Sequence, residues 1–377
     1  MTSSVINYLT TIHFGEDAVT VLPGELSALS ISRPLIVTDK PLCAVGVVDQ
    51  ALAPLGETPP IFDATPSNPT EEACDRAAAM YRQEGCDGLI AIGGGSPIDL
   101  AKAIALRVTH DGPLAQYAVI EGGLARITAS VAPVIAVPTT SGTGAEVGRA
   151  SLLTVHDGRK LGIISPYLIP KRAICDPKLT YGLPPYLTAA TGMDALTHCF
   201  ETFLSPRYNP VADSIALDGL VRAWRNIRGA VANGGDADAR REMMMASLQG
   251  GLTFQKGLGA VHSMSHPLGS VKSVNPHHGT LNAVILPHVL AYNENAASEK
   301  YGTIRKALGL EPDADLGALI TELNAEIGLP KSLAEMGLPR DIIPAMSKAA
   351  MADHSTPTNP RAMTEAGFIE LFERSFS

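Results

Sequence analysis

The stretch GLIAIGGGSPIDLAKAIAL, residues 88–106, decides the fold. Its first six residues form a nearly continuous apolar run, the pattern of a strand buried on both faces of a parallel sheet. Gly93, Gly94, Gly95 and Ser96 follow as a turn, and the remainder carries apolar residues at helical spacing. Ser96 is the predicted N-cap, with Pro97 at the first helical position and Asp99 three residues after the cap. Strand, glycine turn and helix together make half of a βαβ unit. Two further runs, PLIVTDK (34–40) and PVIAVPTT (133–140), also read as strands ending in turn-forming residues. Strands alternating with helices over this length predict a parallel sheet with covered faces. KLGIISPYLIPKRAICDP (160–177) reads as two short strands around turns, a hairpin extension.

After LPPYLTAA (183–190) the texture changes to Ala- and Leu-rich helical patterns over 186–204, 207–232, 238–257, 281–297, 298–308, 314–327 and 362–375. A chain of 377 residues exceeds what one core usually serves. The prediction is therefore a Rossmann-like α/β domain over 1–185 and an all-α domain over 186–377.

Hydrophobic residues at 45% and charged ones at 18% describe an ordinary globular chain able to bury large cores. A formal charge of −9 argues against nucleic acid as a partner, since that needs a basic face. No apolar run reaches the ~20 residues of a membrane span. The opening MTSSVINYLTTIHFGEDA has no charged start, apolar core or cleavage site of a secretory leader. Five scattered cysteines without a C-x-x-C pair suit reduced thiols and argue against a cysteine-based zinc site. A cytoplasmic location is the expectation.

The glycines at 93–95 allow close backbone approach, and the N–H groups of the helix they open attract phosphate. GGGS lacks the G-x-G-x-x-G spacing, so a tight turn without a ligand fits equally well. PTTSGTG (138–144) also follows a strand and offers hydroxyls and glycines to phosphate or ribose. Asp39 ends a third strand, where an acid accepts ribose hydrogen bonds and repels a 2′-phosphate. Three such strand ends point to a dinucleotide, NAD(H) over NADP(H).

In the helical half, TGMDALTHCFE (191–201) sets Asp194 and His198 four apart on one helical face. GAVHSMSHPLG (259–269) carries His262 and His266, and NPHHGTLNAVILPH (275–288) carries His277, His278 and His288. Imidazoles with one carboxylate suit iron(II) or zinc rather than calcium.

With these motifs the chain resembles the iron-dependent group III alcohol dehydrogenases, relatives of lactaldehyde reductase and 1,3-propanediol dehydrogenase. The resemblance runs nearly end to end, through GGGSPIDLAKAIA, PTTSGTGAEV, GMDALTHCFE, GAVHSMSHPLG, HHGTLNAVILPHV and TNPR (358–361). It implies the iron alcohol dehydrogenase (dehydroquinate synthase-like) fold, a metal centre of Asp194, His198, His262 and His278, and a homodimer. It implies NAD(H) contacts from Asp39, Asn68, Gly94, Gly95, Ser96, Asp99, Thr139, Thr140, Thr143, Lys160 and Leu179. It further implies hydride transfer with a small alcohol or aldehyde, the metal a Lewis acid on the substrate oxygen and the nicotinamide the hydride carrier. His266, one turn from His262, is the candidate proton relay, or else a hydrogen-bonding neighbour of the metal. This chain departs from the family's Pro-His-Gly with Pro-His-His-Gly, so His277 rivals His278 as the fourth ligand. Lys272 or Arg149 is a candidate partner for a substrate carboxylate, as in an ω-hydroxy acid such as 4-hydroxybutyrate. Rival readings are a zinc glycerol-dehydrogenase-like polyol oxidoreductase and a non-catalytic metal- or nucleotide-binding protein.

Overall fold

The computed structural model describes residues 6, 8–56 and 58–377. Most of residues 1–7, where the stretch read for a leader begins, therefore lies outside the described residues. Contacts divide the described residues into two compact units: one within 8–140 and 144–181, the other of residues 6, 141–143 and 182–377.

The first unit holds the strands β1 (Thr11–Phe14), β2 (Pro34–Val37), β3 (Ile61–Phe62), β4 (Gly88–Gly93), β5 (Val134–Pro138), β6 (Ala150–Thr154), β7 (Lys160–Ile164) and β8 (Arg172–Cys175). Its helices are α1 (Leu22–Ala28), α2 (Lys40–Ala44), α3 (Val47–Leu52), α4 (Glu71–Gln83) and α5 (Gly95–Arg107). Six strands form a parallel sheet in the order β1-β8-β5-β4-β2-β3. Strand residues alternate between two cores because successive side chains point to opposite faces. Leu35, Val37, Leu89, Ala91, Val134 and Ala136 meet α4 and α5, through residues such as Ala77 and Ile104. Ile36, Ile90, Ile92, Ile135 and Val137 meet α1 and α3 on the other face, through Leu22 and Val48. The chain leaves β2 for β3 on one side and β4 for β5 on the other, so the order reverses between β2 and β4. Such a reversal opens a crevice at the carboxyl ends of the strands.

Two local readings change. The hairpin pairs β6 with β7, and the second strand of the 160–177 stretch, β8, instead joins the parallel sheet beside β1 and β5. β6 alternates buried and half-buried residues, too short a pattern to stand out in the sequence. Gly94, not Ser96, is the N-cap of α5, and no side chain caps that end. Ser96 Oγ instead donates to Ser67 O (2.6 Å), and Asp99 Oδ2 accepts from Leu152 N (3.1 Å).

Lys102, fully buried on α5, donates to three backbone carbonyls: Ala145 (2.7 Å), Gly148 (3.0 Å) and Ala150 (2.9 Å). It thereby fixes the segment that leads into β6. Lys102→Met would remove the donor of three carbonyls at once. Loss of a buried, bonded charge of this kind costs roughly 3 kcal/mol. Urea unfolding should register that loss as a lower midpoint, whereas an unchanged midpoint would show that water satisfies the carbonyls.

The second unit is helical: α6 (Pro185–Leu204), α7 (Pro210–Ala232), α8 (Ala237–Leu252), α9 (Ala260–Leu268), α10 (His278–Asn293), α11 (Ser298–Leu308), α12 (Leu316–Glu326), α13 (Ile343–Met351) and α14 (Glu365–Ser375). Every residue of α6 from Thr188 to Leu204 is buried, the signature of a helix surrounded by others. Three of its buried hydroxyls are satisfied internally: Thr191, Thr197 and Thr202 each donate to the carbonyl four residues back. α9 and α13 are helices the sequence pattern does not announce; both are short, and Pro267 interrupts the first. Among the described residues no helix is long and apolar enough to cross a membrane.

Candidate active site

Three helices of the second unit meet around one carboxylate. α6 carries Asp194, His198 and Glu201 on successive turns, α9 carries His262, and α10 carries His278 and, one turn on, Asn282. Asp194 Oδ1 lies 3.5 Å from His198 Nε2, 3.7 Å from His262 Nε2 and 3.6 Å from His278 Nε2. Asp194, His198 and His262 are buried, while the His278 side chain is about a third exposed, the open side of the group. Asp194, His262 and His278 each bring one ligand atom within 4.8 Å of the others, and His198 reaches the same carboxylate oxygen.

The other ring nitrogens have partners that set the tautomers. His198 Nδ1 donates to the Gly142 carbonyl (3.2 Å) and His262 Nδ1 to Glu201 Oε2 (2.5 Å). Since a carbonyl and a carboxylate only accept, both rings aim Nε2 at Asp194. Burial, outweighing the Asp194 charge, holds the His198 imidazole down to about 4, so it is neutral and free to donate a lone pair. Burial pulls the His262 imidazole down as well, but Glu201 and Asp194 outweigh it and push it up to about 9, so a metal at Nε2 would bind by displacing a proton there while Nδ1–H stays on Glu201. Burial works against the Asp194 carboxylate, yet His198, His278 and His262 hold it ionised well below the usual carboxylate range. Asn282 Nδ2 faces Asp194 Oδ1 (2.7 Å), His278 Nε2 (3.1 Å) and His262 Nε2 (3.2 Å), more acceptors than its two hydrogens can serve. Converging acceptors in excess of donors, one oxygen and three imidazoles, fit a divalent transition metal.

His277 stands outside this group. It takes the N-cap position of α10, and among the described residues its buried Nδ1 has no hydrogen-bond partner. His278 is thus the residue brought to Asp194. His266 lies one turn from His262; its ring stacks on His278 (centroids 5.7 Å) and on His354 (5.4 Å). His266 Nδ1 bonds Asp353 Oδ2 at 2.9 Å.

In the first unit Asp39, Gly94, Gly95, Ser96, Thr139 and Thr140 of the predicted nucleotide contacts lie just beyond the carboxyl ends of β2, β4 and β5. Asp39 caps α2 through Leu42 N (3.0 Å), and burial raises its carboxyl. Gly93 ends β4 at φ 151°, where a Cβ would meet Pro97 Cγ at 2.5 Å. A Cβ at Gly94 would meet Thr140 Oγ1 at 3.2 Å, so the glycine turn and the β5 end lie close together. Among the described residues, the buried hydroxyls of Thr38 after β2, Thr65 after β3 and Thr139 after β5 have no hydrogen-bond partner, a demand a polar ligand would meet. Lys160 Nζ donates to Asn68 Oδ1 (3.1 Å) at the start of β7, and burial lowers its ammonium. Gly95 and Ser96 open α5, and Asp99 bonds β6. Leu179 is buried in the core against Ile92 and Val137. Thr143 belongs, with residues 141–143, to the helical unit.

The Asp-x-x-x-His and His-x-x-x-His spacings by themselves do not include Glu201, Asn282 or Asp353. Glu201 follows His198 by three residues and Asn282 follows His278 by four, so helical spacing from a ligand is the signal that finds the first two. Asp353 is brought in from 87 residues beyond His266 and leaves no local trace.

Comparison with known proteins gives a consistent result. A family model described as iron-containing alcohol dehydrogenase matches residues 10–177, and one for the C-terminal part of the Fe-containing alcohol dehydrogenase family matches 188–376. The chain is 51% identical over 378 residues to a 4-hydroxybutyrate dehydrogenase of Cupriavidus necator, covering 98% of this chain and 99% of the other. It is 38% identical to a 1,3-propanediol dehydrogenase of Klebsiella pneumoniae, covering 96% of each chain. Among solved structures, a 1,3-propanediol oxidoreductase superposes with a TM-score of 0.92 at 38% identity, covering 99% of this chain and 100% of the other. A sulfoacetaldehyde reductase from Bifidobacterium kashiwanohense in complex with NAD+ superposes at 0.89 and 28% identity, covering all of both chains.

Proposed function

Since the chain belongs to the iron-containing alcohol dehydrogenase family and is an oxidoreductase acting on CH–OH groups, we propose that it interconverts a small ω-hydroxy acid, such as 4-hydroxybutyrate, and its aldehyde with NAD(H). The observation that carries this reading is the single carboxylate oxygen, Asp194 Oδ1, facing three imidazole Nε2 atoms at 3.5–3.7 Å. The 51% identity to a 4-hydroxybutyrate dehydrogenase along the whole chain supports the substrate class.

Asp194, His198, His262 and His278 would hold the metal, and the glycine turn, Asp39, Asn68, Ser96, Asp99, Thr139, Thr140, Thr143, Lys160 and Leu179 would bind or shape the site for NAD(H). Bound iron(II) supplies Lewis acidity toward the substrate oxygen, and NAD supplies the carbon that exchanges hydride. The donor set suits zinc as well as iron. His266 donates Nδ1–H to Asp353, which leaves Nε2 as the lone pair that takes the substrate's hydroxyl proton. Burial works against the Asp353 carboxylate, but His266 and His354 keep it ionised, so it stabilises the protonated ring. Lys272, exposed in the 270–276 segment that leads to His277 and His278, would pair with a substrate carboxylate. Asp39 favours NAD(H) over NADP(H) by repelling a 2′-phosphate. A cytoplasmic homodimer completes the reading.

General acid–base groups contribute on the order of 100-fold or more to turnover. His266→Ala should therefore lower kcat by ~100-fold while metal content stays equal to the parent's. Loss of metal in that variant would make His266 a ligand instead. The function is tested by NADH formation from 4-hydroxybutyrate, 1,3-propanediol and 1-butanol. Higher kcat/KM for 4-hydroxybutyrate supports the ω-hydroxy acid reading, and equal values for 1-butanol would remove it.

A further inference from the structure

Glu201 touches neither the proposed metal position nor the nucleotide strand ends, yet both its oxygens are committed. Oε2 accepts from His262 Nδ1 (2.5 Å) and Oε1 from Val261 N (2.7 Å), sixty residues along the chain. The carboxylate is buried. Two adjacent residues of α9 are therefore tied to one side chain of α6. The approach is close: a Cβ at Gly259 would stand 2.9 Å from Glu201 Oε1. The start of α9 has a second, separate anchor in Asn359, whose Oδ1 accepts from Ala260 N (3.1 Å).

We propose that Glu201 is a positioning residue that sets the metal affinity of the centre, by fixing the proton of His262 on Nδ1 and the lone pair on Nε2. The proposal rests on the metal reading of Asp194, His198, His262 and His278. The chemistry follows from the number of acceptors. A carboxylate offers an oxygen to each of two donors, whereas an amide of the same shape offers one oxygen and one NH2. In Glu201→Gln, if the amide oxygen keeps the Val261 N–H, the NH2 faces His262 Nδ1. That nitrogen must then accept, and the ring proton moves to Nε2, the position a metal needs. If the amide turns over, two N–H groups confront each other at Val261. Either way the ligand is misprepared although the side chain's shape is unchanged. Partners of this kind typically contribute 10–100-fold to metal affinity.

The test uses the full-length protein loaded with Zn2+ or Co2+ and challenged with a graded series of chelator, alongside melting of each chelator-stripped protein. E201Q should lose metal at about 10–100-fold lower chelator strength than the parent, with the melting temperature of the stripped form nearly unchanged. Asn359→Ala loosens the same helix start without touching His262, and should retain metal far better than E201Q. Equal retention by E201Q and parent overturns the proposal. So does equal loss in E201Q and N359A, or a stripped E201Q without a cooperative melt, because each assigns Glu201 to the helix start alone. A parent that retains no divalent metal would instead defeat the metal reading on which the proposal stands.

Discussion

Replacing Asp194 with alanine should abolish metal retention and alcohol oxidation together. Its Oδ1 is the oxygen that all three imidazoles face, and it is buried among them. Without it, neutral donors would have to hold a dication with no negative charge in direct contact. Partners one bond removed from a metal contribute 10–100-fold to affinity, so the loss here should exceed ~100-fold. Asn282 Nδ2 would also lose the shortest of its three contacts. Metal content after dialysis and NADH formation check the two halves of the expectation separately. If Asp194→Ala keeps its metal, the Asp194–His198 pair is a structural hydrogen bond within α6 and the ligand assignment fails.

The second large effect is expected at Gly279, directly after His278. On helix propensity alone, Gly→Ala in the first turn of α10 would stabilise by up to ~1 kcal/mol. The packing reverses the sign. A Cβ there would stand 2.1 Å from the Ala190 carbonyl oxygen, 2.8 Å from its carbon and 3.3 Å from Asp194 Cβ. The nearest two are backbone atoms of α6 and cannot rotate aside, so α10 must move away from α6. Overpacking of this kind costs roughly 1–3 kcal/mol, and the shift carries His278 from Asp194. Gly279→Ala should melt lower than the parent and give up metal to weaker chelators. A variant as stable as the parent, with metal fully retained, would show that the two helices are not in close contact at this point.

Much of this was legible in the sequence because the relevant signals are local. The buried β4 run, its glycine turn and the α5 pattern announce the parallel sheet, and Asp194, His198, His262 and His266 announce themselves by spacing of four. What stayed hidden depends on long-range contacts. Ser96 looks like a cap, but its hydroxyl is drawn to Ser67 O across 29 residues, leaving Gly94 at the cap position. The β6–β7 pairing depends on a strand too short to read alone. The choice between His277 and His278 turns on where α10 begins, since His278 opens the helix with Nε2 3.6 Å from Asp194 Oδ1 while His277 takes the N-cap position. Glu201 acts on a histidine 61 residues away, so its spacing from His198 marks its helix face but not its partner, and Asp353, 87 residues from His266, leaves no pattern at all.

The central claim is that a metal held by Asp194 and three histidines supports NAD-linked oxidation of a small alcohol. Its most direct test is NADH formation from 4-hydroxybutyrate and NAD+ by the chelator-stripped protein, before and after adding Fe2+ or Zn2+. The expected result is negligible activity in the stripped protein and recovery with the added metal. Failure to oxidise any alcohol tried, with metal and NAD+ both shown to be bound, would contradict it.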